Sequence, residues 1–296
     1  MTIDVAGHAV FLPALALAGL GVGFVAGMFG IGGGFILTPL LTIGFGIPAP
    51  IAVGSSLCQK IGTSAGSLVK YRQYRYGEPR MDWIMMGGSL MGAHAGTAAL
   101  RALDRRGVIS IWGHTMPLVN VAIELVYVAM LVATVIATAR TVGMTTRDVT
   151  VPGPLARMRL PPHVRLPAVG LHVSVPVAVY VGFMTGALSG LLGISGGVAL
   201  LPVLIYGYGL SMRDAAGTGL IMLLVTVIAG TAEQAWHNQV DLRVALGVLA
   251  GSAVGAQLGA RATHVLSGRT LRLALCALLS TVAAAILAHL TISVLE

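Results

Sequence analysis

Apolar residues run through this chain in long, nearly unbroken stretches. They cover about 8–29, 82–100, 114–138, 169–192, 212–236, 242–264 and 270–292. Each is close to the roughly 20 residues that a helix needs to cross a bilayer. Two further stretches, 35–46 and 198–210, are apolar but too short to span comfortably. The run 50–70 differs from all of these. It holds Ser55, Ser56, Gln59, Lys60, Thr63, Ser64 and Ser67, which predicts a helix with one polar face. Between 140 and 167 the pattern breaks, and Pro152, Pro154, Pro161, Pro162 and Pro167 interleave with Arg140, Arg147, Arg157, Arg159 and Arg165. Proline at that density stops a helix. The expected organisation is a first membrane unit over 1–139, a Pro/Arg-rich cytoplasmic linker over 140–167 and a second membrane unit over 168–296.

The two units repeat. The clusters Gly27-Met28-Phe29-Gly30-Ile31-Gly32-Gly33-Gly34 and Gly190-Leu191-Leu192-Gly193-Ile194-Ser195-Gly196-Gly197 stand 163 positions apart. In that same register Pro39 meets Pro202, Gly54 meets Gly217, Ser55 meets Thr218 and Thr63 meets Thr226. Gly88, Gly92 and Gly96 meet Gly251, Gly255 and Gly259. Glycine is poor inside a helix because it loses the most backbone freedom on ordering, so a broken helix is predicted at each cluster. Broken backbone at membrane depth is tolerated only where it is buried in protein or lines a cavity. Repeats built this way recur in secondary transporters. The glycines at every fourth position are read as smooth stripes for close helix packing.

Composition supports the membrane assignment: 56% of residues are apolar and 9% charged, with a mean hydropathy of +0.90, against roughly 25% charge in a soluble domain. The formal charge of +8 lies in the loops. Loop 70–80 carries Lys70, Arg72, Arg75 and Arg80, whereas its equivalent, 233–243, has Arg243 opposed by Glu233 and Asp241. Basic loops favour the cytoplasm, so the equivalent loops are expected on opposite sides. That requires an odd number of crossings per unit, with the short stretches counted. The predicted fold is an all-α polytopic membrane protein of two inverted five-segment repeats, with helices broken at the glycine clusters and both termini outside. Arg101, Arg105 and Arg106 would then fall outside, against the rule; re-entrant short stretches would give two parallel units of four crossings instead. The absence of a basic motif with an aromatic platform excludes nucleic acid as a partner. Cys58 and Cys276 stand alone, with neither metal spacing nor a disulfide framework, and no cofactor is expected. Met1 to His8 lacks the positive region of a signal peptide, so the first run is expected to remain as a span. Trp83, Trp112 and Trp236 lie near span ends, where interfacial anchors sit.

The stretches Gly27 to Leu41, Ala52-Val53-Gly54-Ser55-Ser56-Leu57 and Tyr71-Arg72-Gln73-Tyr74-Arg75 resemble the sulfite exporter TauE/SafE family. So do Gly190 to Pro202, Asp214-Ala215-Ala216-Gly217-Thr218 and Val240-Asp241 in the second unit. The resemblance covers nearly the whole chain outside 140–167. It implies a multi-pass permease of the bacterial inner membrane that moves sulfur-containing anions such as sulfite, sulfoacetate or other sulfonates. Lys60 and Gln59 stand where the family is expected to be apolar or mildly polar, which leaves the anion itself open.

An anion in transit needs its charge offset without tight binding. Helix N-termini offer unpaired N–H groups and the positive end of the dipole, and glycine lets a ligand approach the backbone. Gly32, Gly33, Gly34, Ser195, Gly196 and Gly197 are the expected cradle, with close packing as the competing explanation of the same glycines. Lys60 is the sharpest single residue. Ser56, Lys60, Thr63 and Ser67 share one helix face, with Ser55 and Gln59 beside it and Thr218 as the counterpart of Ser55. A charge at mid-membrane costs at least about 3 kcal/mol on insertion scales, so Lys60 is expected to face the substrate or to pair with Glu124. Glu124 and His94 are the candidate coupling residues, Glu233 and His237 are read as interfacial, and no metal-ligand cluster is seen. The expected partners are a small anion and membrane lipid, and a homodimer is left open. A carboxylate carrier is the nearest alternative. An intramembrane serine protease built on Ser195 is disfavoured, because the same glycine frame recurs in the first unit with Gly32 in place of the serine.

Overall fold

The computed structural model describes residues 2–5, 8–30, 34–105, 108–111, 114–142, 153–158, 160–192 and 197–295. The first unit contains α1 (Leu12–Phe29), α2 (Gly34–Pro39) continued by a π-helical turn over Leu40–Gly44, α3 (Ala49–Gln73), α4 (Pro79–Asp104) and α5 (Leu118–Val142). The second contains α6 (Val175–Leu192), α7 (Gly197–Pro202) with a π-helical turn over Val203–Tyr208, α8 (Met212–Gly217), α9 (Leu220–Trp236), α10 (Leu242–Val265) and α11 (Gly268–Leu295). Helix starts follow local chemistry. Proline opens α1, α3 and α4, where its missing N–H is no loss. Glu78 accepts from the Arg80 N–H at the start of α4, and Asp241 from the Arg243 and Val244 N–H groups at the start of α10, which satisfies donors that the helix leaves over. α1 stops at Gly30, whose φ of 65° is left-handed.

The helix bounds obey the repeat. Moved by 163 positions, α1, α2 and α3 fall on α6, α7 and the pair α8–α9, and the start of α4 falls on that of α10. The two apolar runs expected as helix from residues 8 and 169 begin instead as antiparallel hairpins, Thr2–Val5 with His8–Phe11 and His163–Leu166 with Leu171–Ser174. In the second, Pro167 and Gly170, at φ 68°, form the turn that keeps the helix from starting earlier. A third hairpin, Val108–Ile111 with His114–Pro117, precedes α5.

Packing repeats the register too. A Cβ on Gly19, Gly23 or Gly27 of α1 would meet the backbone of Val248, Ser252 or Ala256 of α10. Their equivalents Gly182, Gly186 and Gly190 of α6 meet Met85, Ser89 and Ala93 of α4. The glycine stripes of α4 and α10 answer from the other side: Gly92 lies on Phe183 and Gly255 on Leu20. Both pairs are backbone-to-backbone contacts that only glycine permits.

The equivalent helices α3 and α9 run antiparallel. The start of α3 meets the end of α9, with Gly54 on Gln239 and Leu57 on Gly230, while Gly77, just beyond α3, backs onto Gly217 ahead of α9. The chain passes from Gly30, against Ala216, to the opposite end at Ala49 through α2 and its π-helical turn.

The two ends of the bundle differ in charge. Beside Arg72, Arg75 and Arg80 lie the second hairpin, through the Ala168 N–H bond to Glu78 at 2.8 Å, and Arg213, bonded to the Leu266 carbonyl at 3.1 Å. The linker docks at the π-helical turn of the second unit, with Gly153 and Leu155 N–H groups donating to the Tyr208 and Gly207 carbonyls. Arg101, at the other end, is held by Glu233 at 2.5 Å. Among the described residues, five helical segments are long and apolar enough to cross a membrane: Leu12–Phe29, Val175–Leu192, Met212–Trp236, Leu242–Val265 and Gly268–Ala288.

Candidate functional site

α3 carries the polar face that its sequence predicts, and the fold encloses it. Ser55, Ser56, Gln59, Lys60, Thr63, Ser64 and Ser67 are all buried, because α3 is packed by α1, α2, α9 and α10. Lys60 is among the largest fully buried side chains and sits midway along the helix. Ser56, one turn before it, donates to the Val53 carbonyl at 2.9 Å and pairs with the Thr38 hydroxyl at 3.0 Å. Tyr127 of α5 hydrogen-bonds Thr38 in turn. A relay of hydroxyls thus links α5, α2 and α3 above Lys60. Gln59 reaches across to α10 and donates to Ser252 at 2.5 Å.

A cavity of about 180 Å³ adjoins this relay. Thr38, Thr42 and Tyr127 give it polar walls, and Ile123 and Ile286 line it as well. Its rim includes Gly46 and Pro48, which are exposed at the end away from Arg72 and Arg80. The second unit has no counterpart in chemistry. Thr38, Ser56, Gln59 and Lys60 are answered there by Leu201, Gly219, Met222 and Leu223. The backbone repeats; the polar site does not.

Of the other predicted residues, Ser55 and Thr218 hold matching structural posts. The Asp241 N–H donates to the Ser55 hydroxyl at 2.9 Å, and the Glu78 N–H to the Thr218 hydroxyl at 3.0 Å. Each ties the loop before the next helix to the polar helix or its equivalent. Gly34 opens α2 and Gly197 opens α7. Gly32, Gly33, Ser195 and Gly196, together with Trp112, lie outside the described residues. Glu124 lies on α5, but its side chain also lies outside them.

His94 is largely exposed on α4 and pairs with Glu233 of α9 at 3.2 Å. Arg101 bonds the same carboxylate and also His237. Four ionisable groups thus meet where α4 passes the end of α9. A further residue went unnoticed in the sequence. Asp82 is fully buried at the α8–α9 break, where it accepts from the Gly219 N–H and pairs with Arg72 at 3.3 Å. Gly219 has a φ of 93°, which only glycine adopts readily, and the carboxylate satisfies the start of α9. A lone acid near a span boundary carries no sequence signal for a partner 137 residues away.

A bundle with an internal repeat, long apolar helices packed along glycine stripes and a lysine enclosed at mid-helix defines a membrane transporter. The sulfite exporter TauE/SafE family profile matches residues 15–286, and the chain belongs to that family. It is 25% identical over 239 residues to a "Probable membrane transporter protein" of Xylella fastidiosa (strain 9a5c), covering 80% of this chain and 79% of that one. It is 23% identical over 265 residues to the "Probable membrane transporter protein YunE" of Bacillus subtilis (strain 168), covering 87% and 90%. With the "Probable membrane transporter protein MJ0441" of Methanocaldococcus jannaschii it shares 24% over 288 residues, covering 91% and 93%. No solved structure matches the chain.

Proposed function

We propose that this protein is a secondary transporter that exports small sulfur-containing anions, such as sulfite or organosulfonates, across the bacterial inner membrane. The observation that carries the proposal is Lys60, an amine side chain fully buried halfway along α3 and flanked by buried hydroxyls. An ionisable side chain enclosed at that depth is a functional feature by default, and an amine beside buried hydroxyls suits an anion that must bind and leave. Membership of the sulfite exporter family supports the substrate class. The antiparallel run of α3 and α9 supports two inverted five-segment halves. Basic residues at the end that holds Arg72, Arg75 and Arg80 support its placement in the cytoplasm. In this arrangement the cavity beside Thr38 opens to the outside, and alternating access exchanges the conformations of the halves around Lys60. Ser56 and Gln59 orient the anion, Ser55 and Thr218 hold the neighbouring loops, and the two glycine clusters complete the cradle. His94 and Glu124 are the proposed coupling groups, and small oxyanions are the only cargo assigned.

The test is sulfite binding and flux with purified protein, first by thermal shift against sulfite, sulfate, thiosulfate, sulfoacetate, taurine and acetate. A ligand that binds only the folded state raises the melting temperature by mass action. The expected result is a shift with one or more sulfur anions that is lost in Lys60→Met. A shift with acetate alone would move the assignment to a carboxylate carrier, and undiminished flux in Lys60→Met would remove Lys60 from the site.

A further inference from the structure

We propose that Ser64 and Ser67 form a second anion subsite, on the cytoplasmic side of Lys60, which receives the substrate as it is handed between Lys60 and the Arg-rich end of the bundle. The inference rests on the anion-transport assignment and names two residues that assignment does not use.

Both serines are fully buried, and neither hydroxyl has a hydrogen-bond partner. Several other buried hydroxyls on the helices behave differently. Ser56 folds back onto Val53, Thr63 onto Lys60, Thr97 onto Ala93, Thr185 onto Val181 and Thr226 onto Met222, each donating to a carbonyl three or four residues earlier. That bond is open to any helical serine. Ser64 and Ser67 forgo it and leave a donor unsatisfied, which is unfavourable in a dry interior.

Position gives the two hydroxyls a use. With Lys60 they stand at i, i+4 and i+7, on one face of α3. They lie roughly 6 and 10 Å further along the helix axis than Lys60 at a rise of about 1.5 Å per residue. The direction is toward Arg72 and the basic end. The cavity and the Thr38–Ser56 relay lie on the other side of Lys60. The two unpartnered hydroxyls thus lie between Lys60 and the basic end, on the side away from the cavity. An anion moving that way also meets the negative end of the α3 dipole. Neutral hydroxyl donors offset this without a fixed charge, so the anion is held weakly enough to leave. The second unit offers Val227 and Gly230 at the equivalent positions, so the pair is not a requirement of the shared frame.

The experiment compares wild type, Ser64→Ala/Ser67→Ala and Ser64→Thr/Ser67→Thr in proteoliposomes with sulfite as the probe. It reads maximal flux, sulfite affinity and melting temperature. The double alanine variant is expected to lose at least tenfold in maximal flux, to keep sulfite affinity within about twofold, and to melt at or above the wild-type temperature, because it removes only unpaired hydroxyls. The double threonine variant keeps both donors and is expected to recover most of the flux. Wild-type flux in the double alanine variant would overturn the inference while leaving the transport assignment in place. A lower melting temperature in that variant would overturn it too, since the hydroxyls would then be holding the fold. Wild-type protein that neither binds nor moves sulfite would overturn the assignment itself, and the inference with it.

Discussion

Alanine at Gly27 is the sharpest test of the packing. A Cβ there would lie 1.9 Å from the Ala256 carbonyl oxygen, and ordinary contact begins at 3.4 Å. The obstacle is backbone, so no side chain can swing aside, and α1 must part from α10 by about 1.5 Å or tilt. Overpacking of this kind costs about 1–3 kcal/mol. Alanine recovers about 0.5–1 kcal/mol over glycine through helix propensity. The net expectation for Gly27→Ala is a loss of about 1–2 kcal/mol, and the same loss for its equivalent Gly190→Ala, whose Cβ would lie 2.2 Å from the Ala93 oxygen. Gly21 and Gly87 supply the controls: each lies in a helix, and nothing stands within 4 Å of a Cβ placed there. Alanine at either should stabilise by the propensity gain alone. Reversible unfolding in detergent, followed by circular dichroism, should separate the two groups by about 2 kcal/mol, roughly a thirtyfold difference in folded-to-unfolded ratio. Equal stability in Gly21→Ala and Gly27→Ala would refute the reasoning, because the stripes would then not be where the helices touch.

Asp82→Ala strands the Gly219 N–H and releases Arg72, and should destabilise by about 2–3 kcal/mol, measured by the same unfolding assay. Ser55→Ala and Thr218→Val should each lose about 1 kcal/mol, because each hydroxyl accepts one loop N–H. Unequal losses would show that the two posts are not equivalent, and a changed sulfite affinity in Ser55→Ala with stability retained would return that serine to the binding site.

Much of the frame was legible because the repeat supplies its own alignment. The match of Gly23 through Gly96 with Gly186 through Gly259 anticipates helix bounds that coincide across the units, and the spacing of Gly88, Gly92 and Gly96 marks the seam with α6. The polar face of α3 could be read from seven side chains. What escaped was pairing at a distance. Glu233 and His237 look interfacial in sequence, and only the fold brings them to His94 and Arg101. Ser55 and Thr218 match in the repeat, yet sequence cannot say whether a matched hydroxyl holds a substrate or a loop. The hairpins before α1 and α6 are hard to read because their second strands, His8–Phe11 and Leu171–Ser174, run straight into the apolar helix, and only the turn residues ahead of them mark the break.

The contrast between frame and chemistry bears on mechanism. Under the proposed alternating access, two units with one backbone register exchange conformations at little net cost. The chemistry need not follow that symmetry. One lysine in the first unit corresponds in sequence to a leucine in the second, and hydroxyls at 38 and 56 correspond to leucine and glycine. A second cation at the equivalent position would deepen binding of an anion and slow its release, since attraction in a low-dielectric interior is strong. For the proposed anion, a single lysine with unpartnered hydroxyls toward the basic end would instead give a graded path with one deep point. In the proposed transporter the repeat supplies the movement, and the unshared residues of α3 decide what is moved.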